Sequence, residues 1–530
     1  MSTKGLFHTY LPFLAGLFAG LFFVLLKVTG NGLAFFPGDF IDARFNNYIL
    51  EHGYLYLSGA YDEYWNAPFM FPEKDVVSYS DNLLGTVPFY ALFRCTGSDV
   101  ETSFQYWFLL MGILNYACAF LFLRSLFQNS TAAALGAFVF AFSLALHSQM
   151  GHAQTFPRFA IPLAVWALVQ FIRTLKPMYF FTALLLWVYQ LYCGIYLGLL
   201  LSILIVLILL VHFLFAWKHY VTVLRSPAWL GKMGLGVVVN LALLAPLMLP
   251  YLERAKQLGF YPYDSIHQSL PTLSSYFFSW NGSLCWDALR ETCISYPAFW
   301  DHEIFAGGVA TLSLIAAMLM TLHAIHRHYF SGLHKEADAG MILFTAGLFL
   351  FFVFMRFGSF SVYQLLYHVP GFGSMRALQR IINIELLFFG MALAYLYARF
   401  VHIRSWVASG LLFLAVLTCL TLDNYVQEGM SHRRSKVEST ERIQRLCEQM
   451  NSLPKNSIVS YEPDTLMSSG MDYQLDAMMA AQRMGLKTMN GYSATSPGGY
   501  GDYWVHPNEQ GRRIWLERKQ VSDTNLVVIH

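Results

Sequence analysis

Long apolar stretches recur along this chain and restrict its fold more than any other feature. A helix needs about 20 mostly apolar residues to cross the hydrocarbon core of a bilayer. Eleven stretches approach this length, at 10–29, 104–123, 131–148, 157–174, 178–193, 195–216, 233–251, 306–325, 340–356, 381–398 and 405–422. Charged residues make up only 12% of the 530 residues, about half the usual share of a soluble protein. These features predict an all-α polytopic membrane protein with about 11 transmembrane helices.

The basic residues indicate which ends of these helices face the cytoplasm. Short loops after the even-numbered stretches carry bases, and Lys4 precedes the first stretch. Lys and Arg are enriched in cytoplasmic loops. The opposite side then receives the polar tail and loops 30–103 and 252–305, of which the first holds ten acidic and three basic residues. We therefore expect a cytoplasmic N-terminus and an exported C-terminus.

The tail is polar and alternates between two kinds of pattern. Helical patterns at 438–453, 472–484 and 508–521 are each followed by a short strand pattern, at 457–461, 486–490 and 525–529. This alternation predicts a small exported α/β domain at 423–530. Residues 1–422 then form the transmembrane domain, which includes loops 30–103 and 252–305.

Two acidic residues follow the first apolar stretch directly. Pro37 and Gly38 end the first helix, and Asp39, Asp42 and Asn46 then recur at spacings that share one helical face. One carboxylate at such a position can act as a general base on an acceptor hydroxyl, while the other positions it. The alternative is that Asp39 only caps the next helix.

The same segment has an apolar face suited to the membrane interface. Aromatic and aliphatic residues recur at helical spacing, at Phe45, Tyr48, Ile49, His52, Leu55 and Tyr56. This pattern predicts an amphipathic helix that lies in the bilayer interface.

Arginines on the predicted outer side are candidates for binding an anion. Positive charge is unusual there, yet Arg356, Arg376 and Arg380 flank the short loop between the ninth and tenth stretches. Arginine can bind phosphate oxygens with two hydrogen bonds. Arg158, just inside the fourth stretch, is a fourth candidate. The alternatives are ion pairs with acids such as Glu385, or contacts with lipid headgroups.

Several further segments carry weaker signals. His152 and Gln154 lie at the outer start of the fourth stretch and are candidates for the wall of a site, although a lone histidine is more often structural. The Gly- and Ser-rich segment 490–500 either covers a site or forms a surface turn, and we favour the turn. Cys285 and Cys293 share an outer loop, where they could form a disulfide.

The motifs of the outer loops resemble those of bacterial membrane glycosyltransferases of the GT-C fold, distantly akin to protein O-mannosyltransferases and aminoarabinose transferases. The resemblance rests on the first stretch, the Gly-Asp motif, and on the segments His52, Phe71-Pro72, Ser80-Asp81-Asn82 and Gly151-His152-Ala153-Gln154. It implies an inverting transfer of a sugar from a polyprenyl-phosphate donor, on the outer face of the bacterial cytoplasmic membrane. Asp39 or Asp42 would be the base, and His52, Asp81, Asn82, His152 and Gln154 would bind substrate.

The resemblance also bears on partners and cofactors. It implies membrane lipid and a glycan, lipid or protein acceptor, and the net charge of +2 gives no indication of nucleic acid. We expect no cofactor, because the second outer loop, residues 148–155, lacks an acid and the seven cysteines lack metal-ligand spacing. A divalent metal is an alternative that no pattern supports.

Two other classes of function remain as alternatives at this point. A transporter or lipid flippase would need polar groups near the bilayer midplane and paired broken helices. A non-catalytic glycan-binding membrane protein would use the outer loops and the tail as a binding surface. An outer cavity that joins the acids to the arginines would favour the transferase.

Overall fold

The computed structural model describes residues 3–292, 299–330, 338–427, 429–464, 470–521 and 525–530. The first half of the chain forms helices α1 (Thr3–Gly20), α2 (Leu26–Thr29), α3 (Asp42–Leu57), α4 (Val87–Cys95), α5 (Val100–Phe127), α6 (Ser130–Phe142), α7 (Ala160–Thr174), α8 (Pro177–Cys193), α9 (Ile195–Leu224) and α10 (Pro227–Leu258). The second half adds α11 (Tyr263–Ser269), α12 (Asp287–Thr292), α13 (Gly308–Phe330), α14 (Ala339–Phe354), α15 (Ile382–Phe400) and α16 (Trp406–Asp423). The tail contains α17 (Lys436–Met450), α18 (Gly470–Met484), α19 (Gly501–Val505) and α20 (Glu509–Lys519). The strands are β1 (Phe35–Pro37), β2 (Arg356–Phe357), β3 (Phe360–Ser361), β4 (Arg433–Ser435), β5 (Ile458–Tyr461), β6 (Lys487–Thr488) and β7 (Leu526–Ile529).

The apolar helices confirm a polytopic membrane protein but not the exact number of spans. Within the described ranges, nine helical segments are long and apolar enough to cross a membrane: Tyr10–Leu33, Val100–Phe127, Ser130–Gln149, Ala153–Thr174, Ile195–Leu224, Pro227–Leu258, Gly308–Arg327, Leu378–Phe400 and Trp406–Asp423. The apolar helices α8 and α14 are shorter, with 17 and 16 residues. Each of the eleven predicted stretches thus coincides with an apolar helix, although two of these helices fall short of the usual spanning length.

The centre of the bundle is formed by α6 and α15. Segments Ser130–Gln149 and Leu378–Phe400 are 89% and 83% buried, whereas Pro227–Leu258 is only 17% buried and lies at the periphery. The two central helices approach so closely that a Cβ on Gly136 would lie 2.4 Å from the carbonyl oxygen of Gly390. Small residues permit this contact between helix backbones, which is a common basis of packing in membranes.

The tail has the predicted alternation of helices and strands. Strands β5, β6 and β7 form a parallel sheet in the order β6-β5-β7, and α18 packs on β5. Strand β4 is not part of this sheet. It pairs antiparallel with β1, which directly precedes the acidic motif. The tail is therefore joined by backbone hydrogen bonds to the segment that carries the acidic motif.

Helix α3 is buried in protein, so the prediction that it lies in the membrane interface is wrong. Its residues from Ala43 to Gly53 are all buried. Asp476 of α18 lies 2.6 Å from the guanidinium of Arg44 and 2.6 Å from that of Arg442. An amphipathic pattern cannot distinguish a lipid interface from a protein interface, and here the tail covers the helix.

We predict that Asp476→Asn destabilises the docking of the tail on α3. The variant leaves the fully buried Arg44 without its charged partner, which typically costs about 3–5 kcal/mol. Glu509→Gln is the control, because the pair between Glu509 and Arg513 is exposed and such pairs contribute about 0–1 kcal/mol. Thermal unfolding in detergent should show a clear drop for Asp476→Asn only, and equal small effects would contradict the prediction.

Candidate active site

A cavity of about 450 Å³ lies where the long loops and the tail meet. Its walls come from loops 30–103 and 148–155, the start of α9, the end of α10, the segment before α15, and the tail. The cavity brings together six of the predicted site residues, namely Asp42, Asp81, His152, Gln154, Arg376 and Arg380. Residues far apart in the sequence therefore share one space at one end of the helix bundle.

Asp42 is the carboxylate of the first loop that faces this cavity. It begins α3, where the helix dipole favours a negative charge. The Tyr492 hydroxyl donates a hydrogen bond of 2.5 Å to Oδ1 of Asp42, and Nδ1 of His152 lies 2.7 Å from Oδ2. Burial alone would raise the pKa of Asp42, but the contacts with His152 and Tyr492 and the charge of Arg380 lower that pKa to about 2. Asp42 is therefore ionised at neutral pH.

Asp39 has the capping contacts that the sequence suggested as an alternative. Its Oδ1 accepts hydrogen bonds from the backbone N–H groups of Ile41, at 3.0 Å, and Ala43, at 3.1 Å. Burial and the nearby charge of Asp42 raise the pKa of Asp39. Asp39 does not line the cavity. Its hydrogen bonds to Ile41 and Ala43 instead hold the turn at which Asp42 begins α3.

A glycine allows the outer segments to meet next to Asp39. Gly38 has φ +90°, and a Cβ there would lie 2.7 Å from Cβ of Ala43 and 2.8 Å from the carbonyl oxygen of Met150. The N–H of Gly38 donates a hydrogen bond of 2.9 Å to the carbonyl of His432 in the tail. The first loop, the second loop and the tail are thus in contact at one residue with no side chain.

Arg376 and Arg380 line the cavity together with Arg254, which is paired with Glu73. Their guanidinium groups lie over the rings of Tyr261 and Tyr196, at 5.9 Å and 4.9 Å from the ring centroids. Among the described residues, neither side chain forms an ion pair or a hydrogen bond, and Nε of Arg380 is buried without a partner. The alternative pairing with Glu385 is not found, since that carboxylate accepts a hydrogen bond from Tyr276 instead. Both arginines are therefore available to an anion.

Asp81 lines the same cavity at the start of α9. Its Oδ1 accepts a hydrogen bond of 3.3 Å from the backbone N–H of Tyr196. Burial raises the pKa of Asp81, against the opposing effects of the Arg380 charge and of this hydrogen bond. Gln154, which also lines the cavity, accepts a hydrogen bond of 2.8 Å from the Asn46 side chain.

Two of the predicted phosphate ligands lie outside the cavity. Arg158 is fully buried within the bundle, where Nη1 donates a hydrogen bond of 3.1 Å to Oδ1 of Asn383. Arg356 begins β2, and its backbone N–H donates to the carbonyl of Pro271. Their positions near the outer ends of helices were visible in the sequence, but the direction of their side chains was not.

Two of the predicted substrate ligands also lie outside the cavity. His52 is fully buried, with Nε2 at 2.7 Å from the carbonyl oxygen of Tyr64, and burial lowers the pKa of His52 to about 4. Asn82 donates a hydrogen bond of 3.1 Å to the carbonyl of Leu191 and so links the first loop to α8. Both contacts are with the backbone of the protein itself, which is typical of structural polar groups.

The tail contributes residues that the sequence interpretation did not assign to a site. Tyr492, Ala494 and Thr495 line the cavity, so the interpretation of segment 490–500 as a surface turn is wrong. The available signal was a Gly- and Ser-rich loop at the carboxyl end of a parallel strand, which is a frequent location of binding residues. Cys285 is a free thiol whose Sγ lies 3.5 Å from the carbonyl oxygen of Leu422, so the predicted pairing with Cys293, which lies outside the described residues, is not found.

The charged groups that line the cavity include both carboxylates and guanidinium groups. Across the ranges that the structure describes, no group of three or more His, Cys, Asp or Glu side chains is placed to hold a metal ion.

Comparison with known proteins shows a fold without a close sequence relative. No family model and no curated protein matches the sequence. The apo oligosaccharyltransferase of Archaeoglobus fulgidus has 11% identity and a TM-score of 0.51, over 98% of this chain and 70% of that chain. The oligosaccharyltransferase AglB of the same organism, in complex with an inhibitory peptide and a dolichol-phosphate, has 11% identity and a TM-score of 0.50, over 98% and 69%. The mycobacterial arabinofuranosyltransferase AftD is more distant, with 12% identity and a TM-score of 0.44, over 87% of this chain and 30% of that chain. The predicted GT-C fold is confirmed by the two oligosaccharyltransferase structures.

We predict that Gly38→Ala disrupts the contact between the outer segments. Gly59→Ala is the control, because Gly59 also has positive φ, +77°, but has open space where a Cβ would be. Left-handed strain alone costs about 1–2 kcal/mol, and the clash at position 38 should add about 1–3 kcal/mol. Thermal unfolding should therefore show a larger loss for Gly38→Ala. Equal losses of stability in the two variants would mean that the close approach of the segments at Gly38 does not contribute to stability.

Proposed function

We propose that this protein is a membrane glycosyltransferase that moves a sugar from a polyprenyl-phosphate donor to an acceptor hydroxyl. The reaction would take place on the outer face of the bacterial cytoplasmic membrane, with the N-terminus in the cytoplasm and the tail exported. One observation carries the proposal: a cavity at the loop end of the bundle contains the ionised Asp42 together with the unpaired Arg376 and Arg380. A transporter would instead be expected to have its polar site near the bilayer midplane.

The charged part of the cavity suits the phosphate of such a donor, and the apolar part suits its polyprenyl chain. Arg376 and Arg380 would bind the phosphate, since guanidinium groups are suited to phosphate oxygens. The cavity continues along Leu199 of α9 and Met248 and Leu252 of α10, a helix at the periphery of the bundle. An apolar chain could extend from there into the bilayer. The dolichol-phosphate in the complex of the structurally similar AglB supports a donor of this class.

Asp42 would act as the general base of an inverting transfer. The acceptor oxygen attacks the anomeric carbon, and its proton passes to the Asp42 carboxylate. The bond between the anomeric carbon and the phosphate oxygen breaks, and its electron pair leaves with the polyprenyl phosphate. A base of low pKa is sufficient here, because the hydroxyl becomes strongly acidic only as its new bond to carbon forms. Asp42 then loses the proton to water.

Arg376 and Arg380 would stabilise the leaving group as well as bind it. Negative charge increases on the phosphate as the sugar departs, and fixed cations stabilise a transition state in which such charge develops. The rings of Tyr196 and Tyr261 hold the two guanidinium groups at the cavity wall, so that little reorganisation is needed during the reaction.

We predict that Asp42→Asn strongly reduces transfer, whereas Asp39→Asn does not. To test this, the gene is deleted, and lipid-linked sugars and envelope glycans are measured by mass spectrometry. The deletion strain should accumulate a polyprenyl-phosphate sugar and lack a sugar on an envelope component. Wild type should restore the glycan, and Asp42→Asn should reduce the transfer rate in isolated membranes by about 10²–10⁴-fold.

Asp39→Asn is the matched control for this experiment. Asparagine caps helices as well as aspartate does, so it can keep the hydrogen bonds to Ile41 and Ala43. This variant should therefore retain most of the transfer rate. Full activity of Asp42→Asn would exclude Asp42 as the base, and the absence of any lipid-linked sugar in the deletion strain would contradict the proposed donor.

We predict that Arg380→Gln weakens the binding of undecaprenyl phosphate, whereas Arg356→Gln does not. Both are arginines of the same region, but only Arg380 lines the cavity. Loss of one charged hydrogen-bonding group should weaken binding by about tenfold or more. Binding of undecaprenyl phosphate to the purified protein in lipid nanodiscs can be followed by native mass spectrometry. Equal effects of the two substitutions would contradict the assigned phosphate site.

A further inference from the structure

The tail provides one of the two groups that contact the Asp42 carboxylate. Tyr492 donates a hydrogen bond of 2.5 Å to Oδ1, while His152 of the second loop lies 2.7 Å from Oδ2. Tyr492 and Asp42 are 450 residues apart in the sequence. Each carboxylate oxygen is therefore held by a different segment of the chain, and the orientation of the carboxylate depends on both.

The ring of Tyr492 is fixed by its neighbours on both sides. It packs edge-on against Phe45 of α3, with 5.6 Å between ring centroids, and lies 6.1 Å from the ring of Trp504. The side chain is only 9% exposed. The phenol hydroxyl therefore has little freedom to move away from Asp42.

The backbone before Tyr492 is also anchored to both the tail and the first loop. The N–H of Gly491 donates a hydrogen bond of 2.9 Å to Gln474 of α18. The carbonyl of Asn490 accepts one of 3.1 Å from the N–H of Met70. Gly491 itself packs against Met70, where a Cβ would lie 2.2 Å from Cγ of the methionine. The segment is thus built against the loop that carries Asp42.

We infer that Tyr492 is a positioning residue for Asp42, so that the exported tail forms part of the catalytic apparatus. This inference rests on the proposed function. The hydroxyl directs one carboxylate oxygen and leaves the remaining lone pairs of Asp42 to the acceptor, because an ionised carboxylate has about four acceptor sites. Hydrogen bonds to a charged group that is fixed in place are among the stronger contributions to such a site.

The test compares Tyr492→Phe with Tyr500→Phe. Tyr500 is a matched control, because it is a buried tyrosine of the same segment whose hydroxyl donates a hydrogen bond of 2.7 Å to the backbone of Met489. The donor is the lipid extract of the deletion strain, and the acceptor is the envelope fraction of that strain. Tyr492→Phe should lower kcat about ten- to a hundredfold with an unchanged KM for the lipid donor, whereas Tyr500→Phe should keep both values.

A double variant separates positioning from support of the fold. If Tyr492 acts through Asp42, then Asp42→Asn with Tyr492→Phe should have the same residual rate as Asp42→Asn alone. A merely structural role would lower the residual rate again by the same factor. If the residual rate of Asp42→Asn is below detection, the kinetics of Tyr492→Phe alone decide. A lower kcat with an unchanged KM then indicates positioning.

Each remaining outcome has a definite meaning. If Asp42→Asn is inactive but Tyr492→Phe behaves like Tyr500→Phe, the inference fails and the proposed function stands. If Tyr492→Phe does not fold while Tyr500→Phe does, or if only KM changes, Tyr492 is not a positioning residue. If Asp42→Asn is fully active, or wild type converts no lipid-linked sugar, the proposed function fails and the inference fails with it.

Discussion

The docking of the tail on the first outer loop is the interaction on which the site depends. Strand β4 pairs with β1 immediately before the acidic motif, and Asp476 lies between Arg44 of α3 and Arg442 of α17. These contacts bury α3 and fix the direction in which Asp42 projects. Without the tail, α3 would expose an apolar face and a buried guanidinium, and one wall of the cavity would be missing. The tail is therefore as important for the geometry of the site as the membrane helices are.

The second constraint is electrostatic. Charges at the edge of a membrane bundle are costly unless they are paired or are used by a ligand. Several charges of the first loop are paired within the protein, as in the contacts of Arg94 with Glu51 and of Arg254 with Glu73. Within the described part of the chain, Arg376 and Arg380 have no such partner, although Arg380 lies near Asp42 and Asp81 and both arginines lie near Asp301. This arrangement leaves positive charge available at the position where a lipid phosphate could enter from the bilayer.

Much of the architecture could be predicted from the sequence, but the details of the site could not. Hydrophobicity located every apolar helix, and the alternation of patterns located the helices and strands of the tail. The distribution of charges selected Asp42 and Arg380 among its candidates, yet it could not separate Asp42 from Asp39, because the sequence pattern placed both on one predicted helical face, whereas α3 begins at Asp42. It also could not show that Arg158 and Arg356 do not line the cavity. The contact of Tyr492 depends on tertiary packing across most of the chain, and local patterns carry no information about such a contact.

We propose that Asp42, Arg376 and Arg380 form one site for a lipid-linked phosphate. The most direct measurement is a cryo-electron microscopy structure of the full chain in lipid nanodiscs with undecaprenyl phosphate. We predict phosphate density against the guanidinium groups of Arg376 and Arg380, with the polyprenyl chain between α9 and α10. Phosphate bound elsewhere on the protein, or an empty cavity at saturating undecaprenyl phosphate, would contradict the claim.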